Sequence, residues 1–254
     1  MSTVFALALA VLIGLSLGLL GGGGSILAVP VLVYVAGVDP RDAVGMSLAI
    51  VGATSLVAGL LHRRSGQVDG RLAAVFGVLG IGGAWIGARL TRALRPELLL
   101  TLFALVMLAA GLAMLLRRHA DAPGPGRPVR GPRPLALVPV ALGLGVLTGF
   151  LGVGGGFLIV PALVVFARAP MKIAVGTSLF VIAANSAAGW LAHLGEGDPH
   201  SALTAAFAAL AILGSIAGER LAHRSPPAAL RRAFALLILA LGAAILASNL
   251  RVLL

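Results

Sequence analysis

Apolar residues run along this chain in blocks of about twenty, separated by short polar clusters. Plain blocks fall at about 41–61, 70–92, 97–116, 171–193, 201–221 and 229–250. At 1.5 Å per residue, a helix of that length matches a hydrocarbon core about 30 Å thick. Two further stretches, at about 2–36 and 135–167, are longer and carry glycine runs. Thirty-five residues would make a straight helix about 52 Å long. Each is better divided into a helix, a break and a short half-helix. In the first stretch the break falls at 21–24 and the half-helix runs from 25 to about 36. Consecutive glycines favour such a break through their backbone freedom.

Composition changes the picture from apolar helices to a membrane protein. The chain has 254 residues, 59% hydrophobic and 11% charged, with a mean hydropathy of +1.08. A soluble domain has about 45–50% apolar and about 25% charged residues. The excess is spread along the whole chain, and no segment reads as a separate soluble domain. Residues 1–18 lack a basic start, and their apolar run exceeds the roughly 7–15 residues of a signal peptide, so they read as retained. The absence of cysteine excludes disulfides, thiolate metal sites and cysteine catalysis. The net charge is +11, but the basic residues sit between apolar blocks, a pattern that sets orientation in a membrane. No basic run is interleaved with aromatics, so no nucleic-acid partner is expected.

The chain is written twice. "GLLGGGGSILAVP" (18–30) returns as "GFLGVGGGFLIVP" (149–161), an offset of 131. At that offset, without gaps, Gly45 and Ser47 meet Gly176 and Ser178, Ser55 meets Ser186, and His62 meets His193. Further on, "GARL" meets "GERL", Pro96 meets Pro227, Phe103 meets Phe234 and Gly111 meets Gly242. Chance matching of Ala and Leu does not place Gly, Pro, Ser, His and Arg in register, so this is an internal duplication. The join, "RRHADAPGPGRPVRGPRP", is a solvated linker. The organisation is a first transmembrane repeat at 1–116, a cytoplasmic linker at 117–134 and a second transmembrane repeat at 135–254.

Charge counting orients the repeats. If each glycine stretch crosses once, the 19 Lys and Arg divide 9 against 10. If each enters and returns, one side holds Arg41, Arg89, Arg92, Arg95 and Arg251 and the other holds the remaining 14. The positive-inside rule expects such a bias and makes the richer side cytoplasmic. Both termini then lie outside, and the two halves are inverted relative to each other. The expected fold is an all-α polytopic membrane protein of two inverted repeats. Each is a Gly-broken helix plus three transmembrane helices, about eight segments in total.

Inverted repeats with broken helices at the midplane are a transporter design. Non-helical backbone at that depth must be buried or line a wet cavity. Half-helix starts carry partial positive charge and suit an anion. The candidate substrate-binding residues are Gly21, Gly23, Gly24 and Ser25 in the first half and Gly152, Gly154, Gly155 and Gly156 in the second. Tight helix packing is the competing use of such glycines. Ser47 and Thr54 share a helical face, as do Ser178 and Asn185, and Ser55 and Ser186 stand beside them. These hydroxyls and amides would complete an anion's shell, or else bond between helices or back to their own. His62, His193, Arg89, Arg220 and Glu219 sit at matched helix ends, as interfacial caps or as gating and proton-coupling groups. No Lys-Ser/Thr pair follows either glycine run, which excludes a phosphate loop. No metal cluster, cofactor motif or serine–histidine arrangement is visible, so an enzyme is not expected.

Taken with "AVGMSLAIVGATSLVAGLLH", its partner "AVGTSLFVIAANSAAGWLAHL" and "SGQVDG", the glycine motifs resemble those of the sulfite exporter (TauE/SafE-like) family of permeases. The resemblance covers nearly the whole chain. It implies a multi-pass transporter of the bacterial inner membrane that moves sulfite, sulfonates or related small anions. Two departures distinguish the halves: Gly156 stands where the first half has Ser25, and Met46 where the second has Thr177. Export of a monoanion from a negative-inside cell gains about 2.3 kcal/mol per 100 mV and needs no coupling. The reading is therefore a probable exporter working by rocking of the two halves in the lipid bilayer. The alternative is a non-transporting scaffold or sensor subunit. Substrate, coupling ion and oligomeric state are not legible.

Overall fold

The chain was described from a computed structural model, which covers residues 2–90, 96–116, 134–151, 156–193 and 201–253. The secondary structure of the described residues is all helical, without a strand. In chain order the helices are α1 (Ser2–Leu20), α2 (Ser25–Pro30), α3 (Pro40–Arg64), α4 (Gly70–Leu90), α5 (Pro96–Leu116), α6 (Pro134–Leu151), α7 (Gly156–Val165), α8 (Met171–His193), α9 (Ser201–Arg224) and α10 (Pro227–Leu253). Among the described residues, five helices are long and apolar enough to cross a membrane, and shorter apolar helical segments accompany them. The chain is an all-α polytopic membrane protein.

The first glycine stretch is broken where consecutive glycines fall. α1 stops at Leu20, and Gly21 takes a φ of +79°. A Cβ at Gly21 would also stand 2.6 Å from the Ser178 hydroxyl, so both backbone and space require glycine there. α2 then starts at Ser25 and passes Pro30, whose missing N–H interrupts the α-helical ladder. The next residues, Val31–Val35, widen into a π-helical turn.

The chain reverses at this break. Ala10 of α1 clusters with Ala43 and Met46 of α3 and with Phe207 and Ala211 of α9. At the other end of α1, the Gly18 carbonyl reaches His62, near the end of α3. Beyond the break, Gly24 lies back against Ile13 and Leu17, and Leu32 and Val38 rejoin the cluster around Ala10. α1 and the segment beyond the break thus fold back on each other as a hairpin, and the chain returns to the level of Ala10 by Val38.

The closest helix seams run through glycine. Gly14 and Gly18 of α1 press on the backbone at Ala211 and Ser215 of α9, with the numbers rising together, so these helices run parallel. α4 and α6 pack likewise, Gly80 against Gly145. Small residues let backbones approach this closely where no hydrophobic driving force separates helix from lipid. α3 and α8 are antiparallel: Gly52 lies by Ser186, Gly59 by Leu179, and His62 by Gly176. α5 and α10 are antiparallel too, with Gly111 against Leu239 and Gly242 against Met107.

Local details recur 131 residues apart. Gly214 sits on Val11 and Leu15, and Gly83 on Leu142 and Val146. After each half-helix a residue of positive φ ends the turn, Gly37 at 73° and Arg168 at 54°. Each turn is closed by a bond between residues six positions apart, Val38 N–H to Leu32 O and Ala169 N–H to Leu163 O, one position wider than the bond of a Schellman cap.

Candidate functional site

The two half-helix starts meet. A Cβ at Gly22 would overlap the backbone of Gly156 and Phe157, and one at Gly156 would stand 3.1 Å from the Ser25 hydroxyl. Residues 21–25 and 156–163 are all buried. The backbone of the first break and of the start of α7 therefore faces protein. Gly152, Gly154 and Gly155 lie outside the described residues. Ser25 does not offer its hydroxyl outward, because Oγ donates to the Gly22 carbonyl at 2.7 Å.

Around this meeting point, α3 and α8 cross. Gly156 touches Ile182, one helical turn before Ser186. Ser186 in turn packs on Gly52. Four buried polar atoms near the crossing have no hydrogen-bond partner among the described residues: Thr54 Oγ1, Ser55 Oγ, Asn185 Oδ1 and Ser186 Oγ. All four belong to residues that the sequence singles out. A buried polar group without a partner costs about 1–3 kcal/mol, and native structures carry few of them. The other two predicted hydroxyls are committed to their own helices. Ser47 Oγ donates to the Val44 carbonyl and Ser178 Oγ to the Val175 carbonyl, each at 2.8 Å. The predicted set thus divides into residues with satisfied hydroxyls and residues with orphaned atoms at the crossing.

The helix ends carry a second polar group. His62 is 1% exposed. Its Nε2 faces the Gly18 carbonyl at 3.0 Å, and its Nδ1 faces Gln67 Oε1 at 3.1 Å. Gln67 Nε2 lies 3.2 Å from His223 Nε2, which stands 3.9 Å from Glu219 Oε1. Ser65 Oγ donates to the same Glu219 oxygen at 3.2 Å. Of the predicted end residues, His62 and Glu219 are brought together and buried, while Arg220 is exposed. Arg89 and His193 lie in the last turns of α4 and α8. Sequence reasoning missed Gln67, His223 and Ser65. Gln67 and His223 are 156 residues apart, and only the fold joins them. Thr177, noted as a departure from the first half, accepts the Asp69 amide at 3.0 Å, and Asp69 Oδ1 accepts the amides of Arg71 and Leu72 at the start of α4. That is an N-cap, which anchors the α3–α4 turn to α8.

Among the described residues no group of three His, Asp or Glu could hold a metal ion. The arrangement offers hydrogen-bond donors and a break in the backbone at the core of a helical membrane protein, which suits binding of a small polar solute.

Known proteins were compared with this chain. The family model described as "Sulfite exporter TauE/SafE" matches residues 6–245. A probable membrane transporter protein of Xylella fastidiosa (strain 9a5c) is 42% identical over 173 residues, 67% of this chain and 66% of that protein. The alignment therefore spans just under two thirds of that relative. The probable membrane transporter protein YunE of Bacillus subtilis is 28% identical over 221 residues, covering 78% of this chain and 80% of its own. One from Methanocaldococcus jannaschii, MJ0441, is 28% identical over 202 residues, 74% of this chain and 72% of its own. No solved structure matches the chain. With its glycine-broken hairpin, its helical membrane fold and a family match along nearly its whole length, this chain belongs to the sulfite exporter TauE/SafE family of membrane transporters.

Proposed function

We propose that this chain exports small sulfur-containing or organic anions, such as sulfite or sulfonates, across a bacterial inner membrane. The two halves act as inverted repeats that rock about a site at their junction. The recurrence of contacts at the 131-residue offset supports that relation, as do the antiparallel crossing of α3 with α8 and the exchange of partners, α1 with α9 and α4 with α6. On this reading the linker, outside the described residues, is cytoplasmic. The anion sits where the half-helix starts meet, near the bilayer centre. The amides of Gly23, Gly24, Ser25 and Gly156 face it with the positive ends of their half-helices. Gly21, Gly152, Gly154 and Gly155 let it approach the backbone.

The observation that carries the reading is the set of orphaned atoms at Thr54, Ser55, Asn185 and Ser186. Hydroxyl hydrogens and the Asn185 amide can turn to an anion without burying a charged side chain. Ligands that bind the folded state alone stabilise it, by about 2.7 kcal/mol at a hundredfold excess over Kd. Purified protein should therefore be thermally stabilised by at least one of sulfite, thiosulfate, sulfate, sulfoacetate or a short carboxylate. The same anion should leave loaded proteoliposomes faster than it leaves protein-free vesicles. A protein that neither gains stability nor moves any of these anions would be the scaffold alternative.

A further inference from the structure

The polar group at the ends of α3 and α9 has a use that the anion site does not supply. The Gly18 carbonyl can only accept, so His62 Nε2 must carry a proton. The state of the ring then depends on Nδ1, which faces the side-chain amide of Gln67. That amide has a donor end and an acceptor end, and its other end meets His223 Nε2. With Oε1 toward His62, Nδ1 is protonated and the ring is a cation, while His223 Nε2 must accept from the amide and its ring is neutral. With the amide turned over, His62 is neutral and accepts, while His223 Nε2 donates and is free to be the cation beside Glu219. A cation at both rings would leave the NH₂ end of Gln67 facing an N–H, with a donor against a donor.

We infer that His62 and His223 carry at most one positive charge between them, that Gln67 decides which ring has it, and that this pair links movement through the first break to cytoplasmic pH. The inference rests on the proposed transport reading only for its last clause. A proton on His62 puts the positive charge on a buried ring bonded to the end of α1, where the broken stretch begins. A proton on His223, which is 47% exposed, puts the charge at the surface against Glu219. The remaining charged neighbours are fixed. Lys172 of α8 donates Nζ to the His223 carbonyl at 2.9 Å, and the Asp69 carboxylate is occupied by the α4 cap. Arg63 and Arg64 of α3 and Arg220 and Arg224 of α9 are exposed. α1 brings to His62 only a backbone carbonyl.

The test reads the protons first. In ¹⁵N-histidine spectra of the full chain in lipid nanodiscs, lowering the pH should turn one ring of the pair, and not both, into the cation. Gln67→Met removes the amide at similar volume, and there both rings should become cations, with two protons taken up. Two cations on the wild-type pair, or one on both wild type and Gln67→Met, would overturn the shared charge. The second reading is transport. Sulfoacetate has no group that titrates near neutral pH, so a pH change that accompanies its flux reports protons bound by the protein. Its flux, or that of sulfite measured against protein-free vesicles, should vary with pH in wild type, and Gln67→Met should shift or steepen that dependence. A pH dependence unchanged by Gln67→Met overturns the link to movement. If wild type moves neither anion, the transport reading fails for these substrates, and the proton count still decides whether the pair exists.

Discussion

Single atoms at the α3–α8 crossing separate binding from packing. A hydroxyl kept for packing would have a partner, so changing Thr54 to Val would cost about 1 kcal/mol, the worth of one ordinary hydrogen bond. Thr54 Oγ1 has none, and neither has Asn185 Oδ1. Replacing an orphaned polar atom by an apolar one of the same shape removes a desolvation cost. Thr54→Val should therefore keep thermal stability in detergent or raise it, by about 1 kcal/mol at most. If the hydroxyl serves an anion, the same change should weaken apparent anion affinity about tenfold, since a hydrogen bond to a charged group contributes about 1.5 kcal/mol or more. A loss of stability with unchanged affinity would assign Thr54 to packing. The orphaned set was legible in the sequence because Ser55, Thr54, Asn185 and Ser186 are polar positions duplicated inside apolar helices. The other half of that reading was not legible. Ser47 and Ser178 have the same spacing and the same duplication, and they bond back to their own helices. Periodicity fixes the face on which a hydroxyl stands, but not the rotamer it chooses.

At the scale of elements, glycine does two jobs that the sequence does not tell apart. At Gly21 it permits a positive φ, and at the α1–α9 and α4–α6 seams it permits backbone contact. Gly82 and Gly83 are neighbours on α4 and make a direct comparison. Gly83 has the α6 backbone against it, with Val146 N 2.7 Å from where its Cβ would be, whereas Gly82 has nothing within 4 Å. Gly83→Val should destabilise the protein by about 3 kcal/mol, at the upper end of overpacking, while Gly82→Ala should leave it unchanged or slightly more stable. Melting curves of both variants in one detergent would check this, and equal effects would remove the seam's special status. The helix spans were readable almost to the residue: the expected 171–193 is α8 as found, and the expected 41–61 is α3 extended to 40–64. Proline, glycine and charge clusters mark those ends. The half-helices were readable from a length that no straight helix could fit within the membrane. Helix partners were not readable, because an apolar face looks the same whichever helix or lipid covers it. The Gln67–His223 bond depends on that pairing, and it was hidden for this reason.

For the whole molecule, the decisive property is how often the chain crosses. On the proposed inverted repeats, α1 and α2 leave the chain at the face where it entered, and each half would cross through its three plain helices. Starting from Asp39, just before α3, the chain crosses by α3, α4 and α5. On that proposal it then enters and returns through α6 and α7, and crosses again by α8 and α9 to reach Arg224. Five crossings put Asp39 and Arg224 on opposite sides. If each glycine stretch were a full crossing, a sixth would be added and the two residues would share a side. The hairpin count also gathers basic residues. Arg63, Arg64, Arg71, Arg168, Lys172, Arg224, Arg231 and Arg232 all fall at the face of the α3–α4 and α9–α10 turns, which the positive-inside rule assigns to the cytoplasm. The chain has no cysteine of its own, so a single introduced thiol reports without background. Both positions are exposed. In bacterial cells, a membrane-impermeant maleimide should label Asp39→Cys while the cells are intact and Arg224→Cys only after they are permeabilised. Labelling of both before permeabilisation, or of neither, would mean an even number of crossings, and the hairpin with the inverted repeat built on it would have to be abandoned.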